Sequence, residues 1–256
     1  MSSAADLHLR ALHDIPPVRP GDDLATLTLE ALERDGLRLQ PADVLVVAQK
    51  VVSKAEGRQV DLATVTPGAK AREVAAIVRK DPRLVELVLR ESRRIVRTAP
   101  DVLIVEHRLG LTMANAGIDQ SNVAGPDTDC ALLLPEDPDA SAQRLRERLL
   151  ARTGVAPAII ISDSFGRPWR VGTVGVAIGC AGVAATLDLR GRRDLFGRTL
   201  RVSIVGHADE IASAASLLMG QAGEARPVIL VRGLGASAVH QPATALLRPA
   251  HEDLFR

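Results

Sequence analysis

Aromatic side chains are scarce in this sequence: three Phe, one Trp and no Tyr among 256 residues. Its core must therefore be packed from Ala, Val, Leu and Ile, and the stacking platforms used by single-stranded nucleic acid binders are missing. An excess of charge of either sign is missing too. With 32 Lys and Arg against 31 Asp and Glu, bulk electrostatics offers no attraction to nucleic acid or to an anionic membrane surface. Cysteine occurs only at Cys130 and Cys180, a spacing that fits neither a metal site nor a redox pair, so both are expected as free buried thiols. No apolar run approaches the roughly 18 residues of a membrane helix, and Met1–Arg10 lacks the apolar segment of a signal peptide. The expected location is the cytoplasm.

What is present is a hydrophobic content of 46%, ample for one large domain or two interlocked small ones. A helix is expected to begin at Asp22-Asp23-Leu24, with Asp22 as N-cap and Gly36 closing it. Val44–Ala48 reads as a buried strand leading into Gln49–Lys54, and two helices follow, about Ala69–Lys80 and one opening at Asp81-Pro82. Short strands at Val102–Glu106 and Leu111–Ala116 precede a polar loop, Gly117–Asp129. After the breaker Pro135–Pro138, an amphipathic helix over 139–153 ends at Gly154. Ala158–Ile161 reads as a strand and Ser162–Gly166 as the loop beyond it. Gly-punctuated strands from Gly172 to Thr186, a hairpin-like stretch through Arg190–Arg201, a helix over Ala208–Met219 and a strand at Val228–Val231 complete the chain. Helices and strands alternate in blocks, so the class is α+β, with no internal repeat and no forced domain boundary.

Four segments carry chemistry. In Ala116–Asn122 an apolar strand delivers Asp119, Ser121 and Asn122 into a loop behind Gly117. A hard cation such as Mg²⁺ takes carboxylate and phosphate oxygens together, so Asp119 is a candidate ligand; an Asx-turn capped by Asp119 is the plainer alternative. In Ile159–Arg170 a buried strand ends in Asp163 and Ser164, and then Arg167, Trp169 and Arg170 follow. A rigid strand can fix a carboxylate for a metal, and the two arginines can face an anionic substrate; otherwise they form a solvated turn with Trp169 as a core plug. Lys54, in Val52–Gly57, is a candidate phosphate ligand at the end of the strand, though the P-loop spacing is absent and a surface lysine is the simpler reading. In Leu217–Glu224, Gly220 and Gly223 bracket Gln221, either to bend around a ligand or to end a helix. The arginines at 190, 192, 193 and 198 read as a solvated basic tip, and the six scattered histidines argue against a His-rich metal site.

In this order, the blocks Ala48–Gly57, Ala116–Val123, Ile161–Arg170, Val176–Gly179 and Ala208–Gln221 resemble the coenzyme F420-0:L-glutamate (γ-glutamyl) ligases, and the likeness runs from Asp14 to Gly233. That resemblance implies an α+β fold of mixed and antiparallel sheets with flanking helices, in two interlocked subdomains, assembled as an intertwined homodimer. It implies GTP as phosphoryl donor, two divalent cations (Mg²⁺ or Mn²⁺) and K⁺. L-glutamate and F420-0 are the implied substrates. By position, Asp119, Asp163, Ser164 and Gln221 correspond to the metal set, with Ser164 standing where the family usually has Thr. Ile15, Pro16, Pro17, Val18, Gln49, Lys50, Lys54 and Asn122 correspond to the nucleotide set, continued by Met219, Gly220, Gln221, Ala222, Gly223, Glu224, Ala225 and Arg226. Asp119, Asp163 and Lys54 are the candidate catalytic residues, and Arg167 and Arg170 candidate substrate contacts. Some relatives carry a further nitroreductase-like domain; this sequence ends at Arg256, and a single ligase domain over 1–256 is expected.

The implied chemistry is activation of a carboxylate by phosphorylation, then attack by the glutamate amine, with further γ-linked additions in later rounds. Two other readings remain open on the residues alone: a metal-dependent nucleotide phosphohydrolase, and a nucleotide-binding protein without turnover.

Overall fold

The computed structural model describes residues 6–123, 129–237 and 239–253. In chain order its elements are β1 (His8–Ala11), α1 (Leu24–Arg34), β2 (Val44–Ala48), α2 (Gln49–Ala55), β3 (Gln59–Asp61), α3 (Ala69–Val78), α4 (Pro82–Arg90), β4 (Ser92–Ala99), β5 (Val102–His107) and β6 (Thr112–Ala114). There follow β7 (Cys130–Leu132), α5 (Pro138–Thr153), β8 (Ala158–Arg167), β9 (Arg170–Ala181), β10 (Leu187–Asp188), β11 (Ile204–Val205), α6 (His207–Met219) and β12 (Val228–Arg232).

The main sheet has five strands in the order β1-β12-β2-β8-β9, with β2 and β8 parallel and the other pairs antiparallel. Its middle strands are continuously apolar because both faces are covered. Alternation sorts their side chains between two cores. Leu45, Val47, Ile159, Ile161 and Leu230 meet Ala142, Leu145 and Leu149 of α5 and Ala31 and Leu32 of α1. Val44, Val46, Ile160, Ile229 and Val231 meet Ala208, Ile211, Ala212 and Ala215 of α6. Each fully buried Ile or Leu here contributes about 1.5–3 kcal/mol. A third core joins α3 and α4 to the small antiparallel sheet β4-β5-β6 through Val74, Val78, Val85, Val88, Leu103 and Val105.

The α+β class matches the expectation, and several local readings change. The first helix is capped by Asp23, whose carboxylate accepts from Ala25 N (3.2 Å) and Thr26 Oγ1 (2.8 Å). Asp22 instead accepts from Arg19 N at 2.7 Å, outside the helix. Ser162–Gly166 is not a loop: β8 runs on to Arg167 because β9 pairs with it to the end. Ser92–Ala99, where no strand is expected, forms β4; Arg93, Arg94 and Arg97 break its apolar pattern, while β5 supplies the ladder. The strand read at Leu111–Ala116 is confined to Thr112–Ala114, and Asn115–Gly117 turns into a short 3₁₀ helix. Among the described residues no helix is long and apolar enough to cross a membrane. Cys130 and Cys180 are free, the second buried and the first half-buried.

Candidate active site

β2 passes directly into α2, so the helix begins at Gln49 on the carboxyl end of a central strand. Lys54 therefore sits on α2 rather than at the end of the strand, one turn beyond Lys50 and on the same face. Gln49 is 1% exposed; its Oε1 accepts from Ser53 Oγ at 2.9 Å, while its buried Nε2 has no partner. A buried donor left unpaired in a cavity wall calls for an acceptor from outside the protein.

The Asp119 loop lies across α2. Asn115, Ala116 and Gly117 all take positive φ, and the chain straightens at Ile118. The backbone of Asp119 is pinned by two hydrogen bonds to Leu132, one donated (3.0 Å) and one accepted (2.8 Å). Its carboxylate is left to the side of α2: Oδ2 is 3.0 Å from Lys50 Nζ, and Oδ1 accepts from Ser121 Oγ at 3.2 Å. Lys54 Nζ donates to Asn122 O at 2.7 Å, and Asn122 Nδ2 donates to Ala222 O at 2.9 Å. The loop is thus tied to α2 on one side and to the segment after α6 on the other.

A cavity of about 450 Å³ opens between these parts. It is lined by Ile15–Val18, by Gln49, Lys50 and Lys54, by Asn122, by Ser162–Ser164 and by Met219–Pro227. Asp119 is outside the lining but is joined to it through Lys50. Burial pushes the Asp163 carboxyl up to about 7; the Ser164 amide opposes this, the charge of Asp119 adds to it, and Lys50 opposes it. A buried carboxyl raised further by the charge of a second carboxylate marks a site short of positive charge. For Lys54, burial and then the neighbouring Lys50 lower the ammonium pKa, so an anion in the cavity would be welcome to both lysines.

The donor set fits divalent cations that arrive with a phosphate. Among the described residues no three His, Cys, Asp or Glu side chains converge on one point. Asp119 and Asp163 could supply two hard oxygens and Ser164 and Gln221 neutral ones, and a Mg²⁺ or Mn²⁺ ion held there would need phosphate or water to complete its shell.

Arg167 and Arg170 are not brought to the cavity lining; they pair at the far end of the β8–β9 hairpin. Trp169, between them, is 89% exposed with φ +65°, so it plugs no core. Conversely, Ala48, Val51, Ser162, Gly175 and Ser216 line the cavity without having been singled out. Ser162 could have been found as the neighbour of Asp163; Gly175 and Ser216 carry no local signal, since only the packing of α6 on β9 brings them there.

A model of the F420-0:gamma-glutamyl ligase family matches residues 13–233. The chain belongs to this family. Among its relatives, the coenzyme F420:L-glutamate ligase of Methanopyrus kandleri is 48% identical over 243 residues, 93% of each chain. That of Methanothermobacter thermautotrophicus is 44% identical over 252 residues, covering 98% of this chain and 99% of its own. That of Archaeoglobus fulgidus is 42% identical over 242 residues, 94% of this chain and 93% of its own. The region shared with the F420-0:gamma-glutamyl ligases encloses every residue lining the cavity, from Ile15 to Pro227.

Proposed function

We propose that this chain joins L-glutamate by an amide bond to the carboxylate tail of coenzyme F420-0, spending GTP, and then adds further glutamates by γ-linkage. The observation that carries the proposal is that Lys50 and Asp163 line one cavity, with Asp119 paired to Lys50 beside it, in a chain of this family.

A carboxylate is a poor electrophile. One of its oxygens first attacks the γ-phosphorus of GTP, and GDP leaves. The glutamate amine then adds to the acyl carbon of the resulting acyl phosphate, loses a proton to water, and inorganic phosphate departs. Both reactants are anionic, so the protein's main tasks are neutralisation and alignment. Lys50 and Lys54 supply fixed positive charge along α2. Gln49 offers its free Nε2–H to an acceptor, and the Met219–Arg226 segment closes the opposite wall. Asp119, Asp163, Ser164 and Gln221 would hold two divalent cations, Mg²⁺ or Mn²⁺, with K⁺ accompanying them. When bound, these ions offset the charge that builds on the transferred phosphoryl oxygens.

A homodimer is part of the proposal. Trp169 and Val171 on one hairpin, and Leu195 and Phe196 on another loop, stand almost fully in solvent, and a second copy would cover such groups.

One incubation tests the reading: GTP, Mn²⁺, glutamate and F420-0, followed by product mass and released phosphate. One glutamate added per phosphate is the expected result. Phosphate released without glutamate or F420-0 would mark a phosphohydrolase instead, and GTP binding without any turnover a sensor.

A further inference from the structure

β9 does not run flush against β8. Ile161 faces Gly179, but Ser162 faces Ala177, so Ile178 is the extra residue of a bulge. The slip comes immediately before Ser162, Asp163 and Ser164, the three β8 residues that line the cavity. Bulges re-aim side chains and weaken the ladder around them, so the surroundings must hold the slip in place.

Helix α6 does this from one face. Asp209 Oδ1 accepts from Ala177 N at 2.8 Å, and one turn later Ser213 Oγ donates to Gly175 O at 2.7 Å. Ala177 and Gly175 are the partners of Ser162 and Ser164, and between them lies Val176, the partner of Asp163. Two side chains at i and i+4 therefore grip β9 on both sides of the residue behind Asp163. The approach requires glycine: a Cβ on Gly175 would lie 2.5 Å from Ala212 O. On the other side of the bulge, Asp139 of α5 accepts from Cys180 N at 2.7 Å. The same α6 that grips β9 runs out at Met219 into the opposite wall of the cavity.

We propose that Asp209, assisted by Ser213, is a positioning residue that locks the β9 bulge behind Asp163 and so sets the distance between Asp163 and the 219–226 wall. Its effect on turnover rests on the ligase reading above; its effect on the bulge does not. Asp209 touches no reacting atom. What matters is its acceptor oxygen rather than its charge.

The full-length Asp209→Ala, Asp209→Asn and Asp139→Ala proteins separate these roles. Amide hydrogen exchange reads the bulge, and steady-state ligation reads the chemistry. In Asp209→Ala, exchange at Ala177 and Val176 accelerates while the β2–β12 ladder stays protected. Turnover then falls about 100-fold, the cost of misplacing a reacting group by an ångström, with KM for glutamate unchanged. Asp209→Asn keeps an oxygen for the Ala177 amide and recovers most of the turnover, and it serves also if the alanine protein fails to fold. Asp139→Ala lowers the melting temperature without changing turnover at 25 °C, as a purely structural contact should. The proposal is overturned if Asp209→Ala retains wild-type turnover, or if Asp209→Asn is as slow as Asp209→Ala. If the wild-type protein makes no product, the ligase reading falls, and exchange alone decides: unchanged exchange at Ala177 in Asp209→Ala would still refute the lock.

Discussion

Glu91 provides a quantitative test of how the small sheet is attached to the rest of the molecule. Its side chain is 12% exposed, and Oε2 lies 2.9 Å from Arg58 Nη2, 3.0 Å from Arg108 Nε and 3.5 Å from His107 Nε2. His107 Nδ1 accepts from Leu109 N at 3.0 Å, which leaves the ring proton on Nε2, toward Glu91. The two arginines reach on to the carbonyls of Leu134 and Glu136, so this node staples the exit of α2 to the segment between β7 and α5. Burial alone would raise the carboxyl pKa, yet His107, Arg58 and Arg108 bring it down from 4.5 to about 2. At about 1.4 kcal/mol for each tenfold in the proton equilibrium, that gap corresponds to about 3 kcal/mol of stability. The folded value lies below the unfolded one. The stabilisation is therefore complete above roughly pH 4.5 and is lost as pH falls toward 2, with about two-thirds gone at pH 3. Glu91→Gln should thus destabilise by about 3 kcal/mol at pH 7 but only about 1 kcal/mol at pH 3. Urea titrations of both proteins at both pH values measure this, provided the slope is unchanged. Equal destabilisation at pH 7 and pH 3 would refute the reasoning, because the node would then act by shape and not by charge.

Asp163→Asn keeps the volume of the side chain and removes its charge; turnover should fall by about 10³-fold while the circular dichroism spectrum and melting temperature stay near wild type. Lys50→Met removes the ammonium 3.0 Å from Asp119. Because that pair is partly exposed, urea stability should move by less than about 1 kcal/mol, while steady-state kinetics with GTP should show kcat/KM down by about 10²-fold. Gly175→Ala places a methyl group 2.5 Å from Ala212 O; calorimetry should register a loss of about 1–3 kcal/mol as α6 is pushed off β9.

Where local pattern and tertiary demand agree, the sequence is a good guide. Val44–Ala48 and Val228–Val231 read as buried strands because both faces of the central sheet are covered, and Asp81-Pro82 marks the start of α4 by its cap and its fixed φ. The second half of β8 resists such reading. Ser162, Asp163, Ser164 and Gly166 are all turn formers, and only their pairing with Ala177, Val176, Gly175 and Thr173 makes them a strand. β4 was hidden by its arginines for a similar reason. The site divides in the same way. Asp119, Asp163 and the Met219–Arg226 segment stand out as short polar stretches beside apolar ones. The register slip at Ile178, and the carboxylate of Asp209 that accepts behind it, come only from the packing of two elements far apart in the chain.

The order β1-β12-β2 in the main sheet has a consequence for biosynthesis. The last strand, Val228–Arg232, occupies the slot between the first two. A chain emerging from the ribosome can assemble the α3–α4 lobe early, since its contacts are local. Its principal sheet must keep a gap until Val228–Arg232 has been translated. Until then β1 and β2 present raw edges with no neighbour to satisfy them, and a ribosome stalled before Val228 would hold a product that cannot close its own centre.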